Sequence, residues 1–282
     1  MADRNDMKRM SSEEYTELKK QEKAEVFELL SDATQKLLSG DRLKEYADKQ
    51  AQLFKHSVSN VLLIMEQAPE ATWVRSYDDW MADGVTVLKG ETGIKTLGSY
   101  RFQKENGTLG MGSKVVKMFD VKQTVIKDFD IVSLNYSKAP DAIMATFPAA
   151  VEVPELPDGA YALYDHNDKL IRVKEGLDPA TKLFVVAKEH AVEIMTGNDY
   201  NTREAVIRQA EMSAYILTKH YGFDAPEIDF GRISSEYPGK EEKDVRAQLG
   251  IIKHVADSID LRVQEVLELG RETKNRDDRE ER

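Results

Sequence analysis

Residues 57–93, SVSNVLLIMEQAPEATWVRSYDDWMADGVTVLKGETG, constrain the fold of this chain more than any other stretch. A helix-like apolar run, Val61 to Met65, follows polar Ser57, Ser59 and Asn60, and a break at Ala68-Pro69-Glu70 ends it. Thr72, Trp73 and Val74 come next. Ser76 and Asp79 then have the spacing of a capping box, in which Ser caps the helix backbone and the acid reaches back. The short helix so started carries Tyr77 and Trp80. A strand over Val85 to Leu88 enters a Lys-Gly-Glu-Thr-Gly turn at 89–93. Both tryptophans of the chain lie in this stretch.

The flanking sequence fills in the architecture. Upstream, the apolar set Leu18, Val26, Leu29, Leu30, Ala33, Leu37 and Leu38 predicts a helix over 12–38, stopped at Ser39-Gly40. A second helix starts near Asp41 with Leu43, Tyr46, Leu53 and Phe54 on its apolar face. Downstream, Val85–Leu88 and Ile94–Leu97 are expected to flank the 89–93 turn. Tyr100–Gln103 and Lys114–Val121 read as further strands around the hairpin dipeptide Asn106-Gly107. Gly110 and Gly112 permit a flexible segment or a close backbone approach. Residues 122–140 read as a loop with an extended piece around Ile126 and Ile131, and Asp141–Ala149 as a short helix. Pro154, Pro157 and Gly159 mark a boundary. Beyond it come a hairpin (161–164 and 170–173, turning at Asp165-His166-Asn167-Asp168), helices over 178–195, 202–221 and 241–270, and a charged tail. The fold class is α+β: N-terminal helices with a small antiparallel sheet, then a mostly helical region opened by an edge β-hairpin.

Composition narrows the function classes. The 282 residues contain no cysteine, which excludes disulfides and thiolate zinc sites and fits a reducing, cytoplasmic setting. The start, MADRNDMKRMSSEEY, has no apolar core of a secretory signal, and no apolar run approaches the ~20 residues of a membrane span. The net charge of −11 argues against nucleic acid at first sight. Between Gly84 and Lys127, however, Lys89, Lys95, Arg101, Lys104, Lys114, Lys117, Lys122 and Lys127 face only Glu91, Glu105 and Asp120. Local sign, not the total, governs a groove that follows phosphates.

Several ordered blocks resemble one family. Ser57-x-x-Asn60-x-Leu62-Leu63-Ile64, Ala71-Thr72-x-Val74, Tyr77-x-x-Trp80, Gly84-x-x-Val87-x-Lys89-Gly90-Glu91-x-Gly93-Ile94 and Phe119-Asp120-Val121-x-Gln123-Thr124 are similar to the ArdC-type module, a single-stranded-DNA-binding domain of anti-restriction and conjugation proteins, with LtrC-like proteins of Gram-positive mobile elements as relatives. The resemblance implies a helical extension at 1–40, the DNA-binding domain at 41–150, a zincin-like domain at 158–270 and a disordered charged tail at 271–282. It also implies a bacterial plasmid, phage or conjugative element as the setting. Single-stranded DNA is the implied partner, with a DNA-processing or host-defence protein as a second.

Binding single strands without reading sequence needs aromatic platforms and a basic groove. Trp73, Tyr77, Trp80, Tyr100, Phe102 and Phe119 are the candidate platforms, with Trp80 and Phe119 also reading as core. Lys89, Lys95, Arg101, Lys114, Lys117 and Lys122 are the candidate phosphate contacts. Asn60 and Gln123 are candidates for hydrogen bonds to a base edge or sugar. A regular strand sets Tyr100 and Phe102 on one face and Arg101 on the other.

The implied zincin-like domain lacks its chemistry. Such domains carry H-E-x-x-H on a first helix and a Glu on the next. Aligned on His190-Ala191, the first ligand position here is Val186 and the general-base position is Ala187. His190 and Glu211 remain as vestigial positions, expected to hydrogen-bond to each other. The implication is a pseudo-peptidase with no catalytic residue, no metal and no cofactor. Glu189, His190, Glu193 and Glu211 are an alternative, displaced ligand set for a divergent metallopeptidase. A third reading is an interaction protein that has lost DNA binding.

Overall fold

The computed structural model describes residues 11–104, 106–126, 136–197 and 201–280, with 269–280 as backbone alone. The extended piece expected around Ile131, the cation Lys127 and the first ten residues lie outside the described residues.

Three helices open the chain: α1 (Ser12–Lys36), α2 (Gly40–Gln52) and α3 (Val58–Gln67). Each begins at a serine whose hydroxyl accepts from a first-turn N–H, Ser11, Ser39 and Ser57 in turn. At α1 the cap is reciprocal, because the Glu14 carboxylate takes the Ser11 N–H at 2.7 Å. In α3, Val61 through Met65 are all buried. A helix apolar on every side belongs in a core, and α3 is accordingly covered by α1, α2 and the first sheet.

That sheet has the order β1-β3-β2, antiparallel throughout, from β1 (Val74–Ser76), β2 (Ile94–Gln103) and β3 (Leu109–Asp120). Helix α4 (Tyr77–Ala82) follows β1. The Ser76 hydroxyl accepts from Asp79 N–H at 3.1 Å and donates to the Asp79 carboxylate at 2.6 Å, so the acid meets the capping hydroxyl rather than the backbone. Two sequence expectations change here. Residues 94–97 and 100–103 are one strand. Residues 85–88 do not pair with 94–97: Val87 bridges Thr124, Leu88 N–H donates to Gln123 O and Val125 N–H to Thr86 O. The reason is Gln123, whose amide holds the 89–93 loop by donating to Glu91 and to Thr92 O, drawing this segment toward 123–125.

After α5 (Ala139–Ala145) comes a second sheet of order β4-β6-β5. The hairpin β5 (Ala162–Asp165) and β6 (Leu170–Lys174) is antiparallel as its turn chemistry requires, with Asp165 accepting from the N–H groups of Asn167 and Asp168. Strand β4 (Ala150–Val153) pairs parallel with β6, so the residues between the helix expected over 141–149 and the boundary at Pro154 belong to the sheet. The remaining helices are α6 (Pro179–Thr196), α7 (Arg203–His220), the short α8 (Phe230–Ser234) and α9 (Glu242–Glu280). Helix α9 runs ten residues past Gly270, where the sequence pattern ended it. The described buried apolar residues other than Trp80 and Val85 form one continuous cluster from Val26 to Val263, to which α1, α3, α6, α7 and α9 all contribute.

Candidate nucleic-acid interface

The outer halves of β2 and β3 form a two-stranded ribbon closed by the turn at Asn106-Gly107. Gly107 has φ +77°, and Asn106 Oδ1 accepts from the Thr108 N–H and hydroxyl. The register places Tyr100 opposite Gly112 and Phe102 opposite Gly110. Both rings reach across to the facing glycines: a Cβ on Gly112 would stand 2.6 Å from Tyr100 Cζ, and one on Gly110 2.7 Å from Phe102 Cζ. The two ring centroids are 6.0 Å apart, and the residues stay 44% and 42% exposed. Glycines 110 and 112 thus serve a close approach. Opposite residues of an antiparallel pair share a face, so Lys114, facing Gly98, lies on the aromatic side. Arg101 faces Met111 on the other side, as strand alternation predicts, and there Leu109 and Met111 are 72% and 65% exposed. Sequence reasoning missed these last two. Their signal is the Leu-Gly-Met-Gly alternation, whose period of two sends the glycines to one face and the large side chains to the other.

Other candidate residues have different surroundings. Lys89 is exposed on the 89–93 loop, and Lys89, Arg101 and Lys114 make no ion pair with any described residue. Lys117 is exposed on the Arg101 side of β3. Lys95 is tied to α1, 3.3 Å from the Glu25 carboxylate and 3.9 Å from that of Glu22. Lys122 donates to Glu70 O at 2.9 Å. Asn60 is buried with its amide on the Leu97 backbone, and Gln123 is occupied by the 89–93 loop and by the Asp120 N–H.

Around β1 a second aromatic group forms. Trp80 is 1% exposed and its indole N–H donates to Phe119 O at 2.9 Å, which places it in the core. Trp73 is half-buried against it, with ring centroids 5.5 Å apart. Tyr77 is exposed, its ring edge-on to half-buried Phe119 at 6.3 Å.

The positions aligned with the zincin motif sit in α6 and α7. Val186 and Ala187 are wholly buried aliphatic groups of the core. His190 is also fully buried, and its partner is not Glu211. Thr146 donates its hydroxyl proton to Ile143 O at 2.8 Å, which leaves Oγ1 to accept from His190 Nε2 at 2.8 Å. The threonine at the end of α5 therefore does for His190 what a carboxylate was expected to do. Nδ1 of the ring has no hydrogen-bond partner among the described residues. Burial, helped by the Arg262 guanidinium, pushes the His190 imidazole down to about 4. Glu189 is fully buried rather than solvated: Arg203 grips it with two bonds of 2.6 and 2.7 Å, and Tyr164 N–H donates to it at 2.9 Å. Glu193 pairs with Arg262 at 3.0 Å, and Glu211 is half-buried. The displaced ligand set is thus spread over separate partners, and among the described residues no group of three or more His, Cys, Asp or Glu side chains is placed to hold a metal ion. No helix among the described residues is long and apolar enough to cross a membrane.

Residues 16–128 match the family model of the N-terminal domain of anti-restriction factor ArdC. Among solved structures, the metal-free antirestriction ArdC protein from the R388 plasmid is similar over 84% of this chain and 98% of that one, with a TM-score of 0.51 and 14% identity. Its Mn(II)-bound form is similar over 83% and 98%, with a TM-score of 0.52 and 13% identity. At this identity the likeness is one of fold, and it extends well past residue 128. No curated protein matches the chain. The α6–α7 donors of this chain do not fit an ion such as Mn(II), for the reasons of partnering and burial just given.

Proposed function

We propose that this chain binds single-stranded DNA on the β2–β3 ribbon, as a protein of a mobile element or phage acting in DNA protection, transfer or anti-restriction. One observation carries the reading: Tyr100 and Phe102 are laid over Gly112 and Gly110 with their outer faces open to solvent. Exposed aromatic rings on one side of a ribbon are placed for bases to stack, and every base has a face to offer. Arg101 and Lys114, one on each side, supply positive charge for the phosphates without a competing carboxylate among the described residues. A duplex hides its base faces inside the stack, so the same platform discriminates against it. The ArdC-type match over 16–128 supports the anti-restriction setting. For the helical second half we propose a scaffold without hydrolysis, because the aliphatic groups of Val186 and Ala187 neither ligate a metal nor move a proton.

Fluorescence anisotropy with labelled single-stranded and duplex oligonucleotides, repeated at several salt concentrations, tests the proposal. Tighter binding to single strands, weakening steeply with salt, is the expected result. Equal binding to both forms, or none at low salt, refutes it.

A further inference from the structure

The start of α3 stands against the first half of α9, and between them lies a cleft of about 420 Å³. Lys55, Arg246 and Lys253 line it with a single carboxylate, Asp257, and with the imidazoles of His56 and His254. Lys253 is only 7% exposed. Its ammonium lies 4.4 Å from the centroid of Phe54, and the ammonium of Lys55 lies 5.5 Å from the same centroid. Two cations on one ring repel each other. Asp257, and Asp260 at 3.2 Å from Lys55, offset that in part. Burial still holds the Lys253 amine below its ordinary range, with Lys55 adding to the effect. Arg246 has the Glu242 carboxylate at 3.7 Å, outside the lining of the cleft, so an anion in the cleft would add to these pairs.

Two other features point the same way. Ser57, Val58 and Ser59 line the cleft, so the N-terminal end of α3, the positive end of its dipole, borders it. The opposite wall carries Gly250, inside α9. A glycine in a helix interior costs about 1 kcal/mol relative to alanine. Nothing in the fold asks for it: its φ is not positive, and a Cβ there would meet no atom within 4 Å. The glycine leaves bare backbone on the wall of a cationic cleft.

We infer that this cleft binds a phosphate group, carried either by a nucleic-acid backbone or by a free phosphorylated molecule. It shares no residue with the ribbon and does not depend on stacking there. It does adjoin, through Lys55 and His56, a cleft of about 350 Å³ that contains Trp73 and Arg75.

Thermal melting of the full-length protein in phosphate and in chloride at equal ionic strength gives the test. Phosphate near saturation is expected to raise Tm by about 2–4 °C. Gly250→Glu places a carboxylate in open space on the wall, and His254→Glu changes an exposed residue. Both are expected to fold and to lose the phosphate shift. No shift in the parent protein, or an equal shift in both variants, overturns the inference. Single-strand affinity then identifies the source: a fall of about tenfold in Gly250→Glu assigns the phosphate to DNA, and unchanged affinity with a lost melting shift assigns it to a free phosphorylated ligand.

Discussion

The Asn60 amide closes on both backbone groups of Leu97, donating to its carbonyl at 3.1 Å and accepting from its N–H at 2.9 Å. Gln67, two turns along α3, does the same to Lys95, at 2.8 and 2.9 Å. Strand β2 is an edge, and edge backbone groups that are covered without a partner are destabilising. Two amides on one helix thus take the place of a fourth strand and root the ribbon on the core. Asn60→Ala should lower stability by about 2 kcal/mol in urea unfolding, while the folded variant keeps its affinity for single strands.

Tyr100 and Phe102 are exposed, so replacing them costs the fold little. Stacking contributes about 1–3 kcal/mol per base, and the double change Tyr100→Ala with Phe102→Ala should weaken single-strand binding at least tenfold in an anisotropy titration. Gly112→Ala should act in the same direction, because its Cβ displaces the Tyr100 ring without touching the core.

Charge reversal should separate the cations of this domain. Arg101→Glu and Lys114→Glu are expected to weaken binding and to lower the slope of log affinity against log salt by about 1 for each phosphate contact removed. Lys95→Glu, which disturbs the ion pairs with Glu22 and Glu25 on α1, should leave that slope unchanged.

The Glu189–Arg203 pair makes a prediction about stability alone. Arg203→Met leaves a fully buried carboxylate with only the Tyr164 N–H and, at 3.7 Å, the Lys188 ammonium, and breaking such a pair costs about 3 kcal/mol. Adding Glu189→Met to it should restore most of the loss, because two apolar side chains then replace the pair. Chemical denaturation of the two variants checks both statements.

His190 sets an acid limit. Its imidazole is depressed to about 4 in the folded chain, against about 6.5 when unfolded. The unfolded chain therefore binds the proton first as pH falls. The contribution is present above pH 6.5 and is lost on going down toward pH 4, reaching about 3 kcal/mol. Burial also depresses His56 and His220, which add in the same sense. The urea midpoint of His190→Leu should fall less between pH 6.5 and 4 than that of the parent, and Thr146, still donating to Ile143 O, keeps its partner.

Local signals in the sequence carried far. The cap at Ser76 placed α4, Asn106-Gly107 placed the hairpin, and the period of two put Tyr100 and Phe102 on one face. What escaped was set by partners distant in the chain. Asn60 and Gln123 are polar residues beside conspicuous motifs, and both have their amides on backbone of other segments. The lysines look alike in sequence, yet Lys95 meets α1 and Lys122 meets Glu70 O. The apolar alternation of β4 is too short to announce a strand without β6 beside it. His190 was legible as buried, but its threonine partner comes from a helix 44 positions earlier.

The rings laid on Gly110 and Gly112 have a thermodynamic consequence. An aromatic side chain that waves in solvent must surrender rotamer freedom when a ligand stacks on it, and that loss is subtracted from affinity. Tyr100 and Phe102 have made the surrender already, during folding, against backbone that has no side chain to resist them. A ligand arriving at this ribbon has only its own disorder to give up.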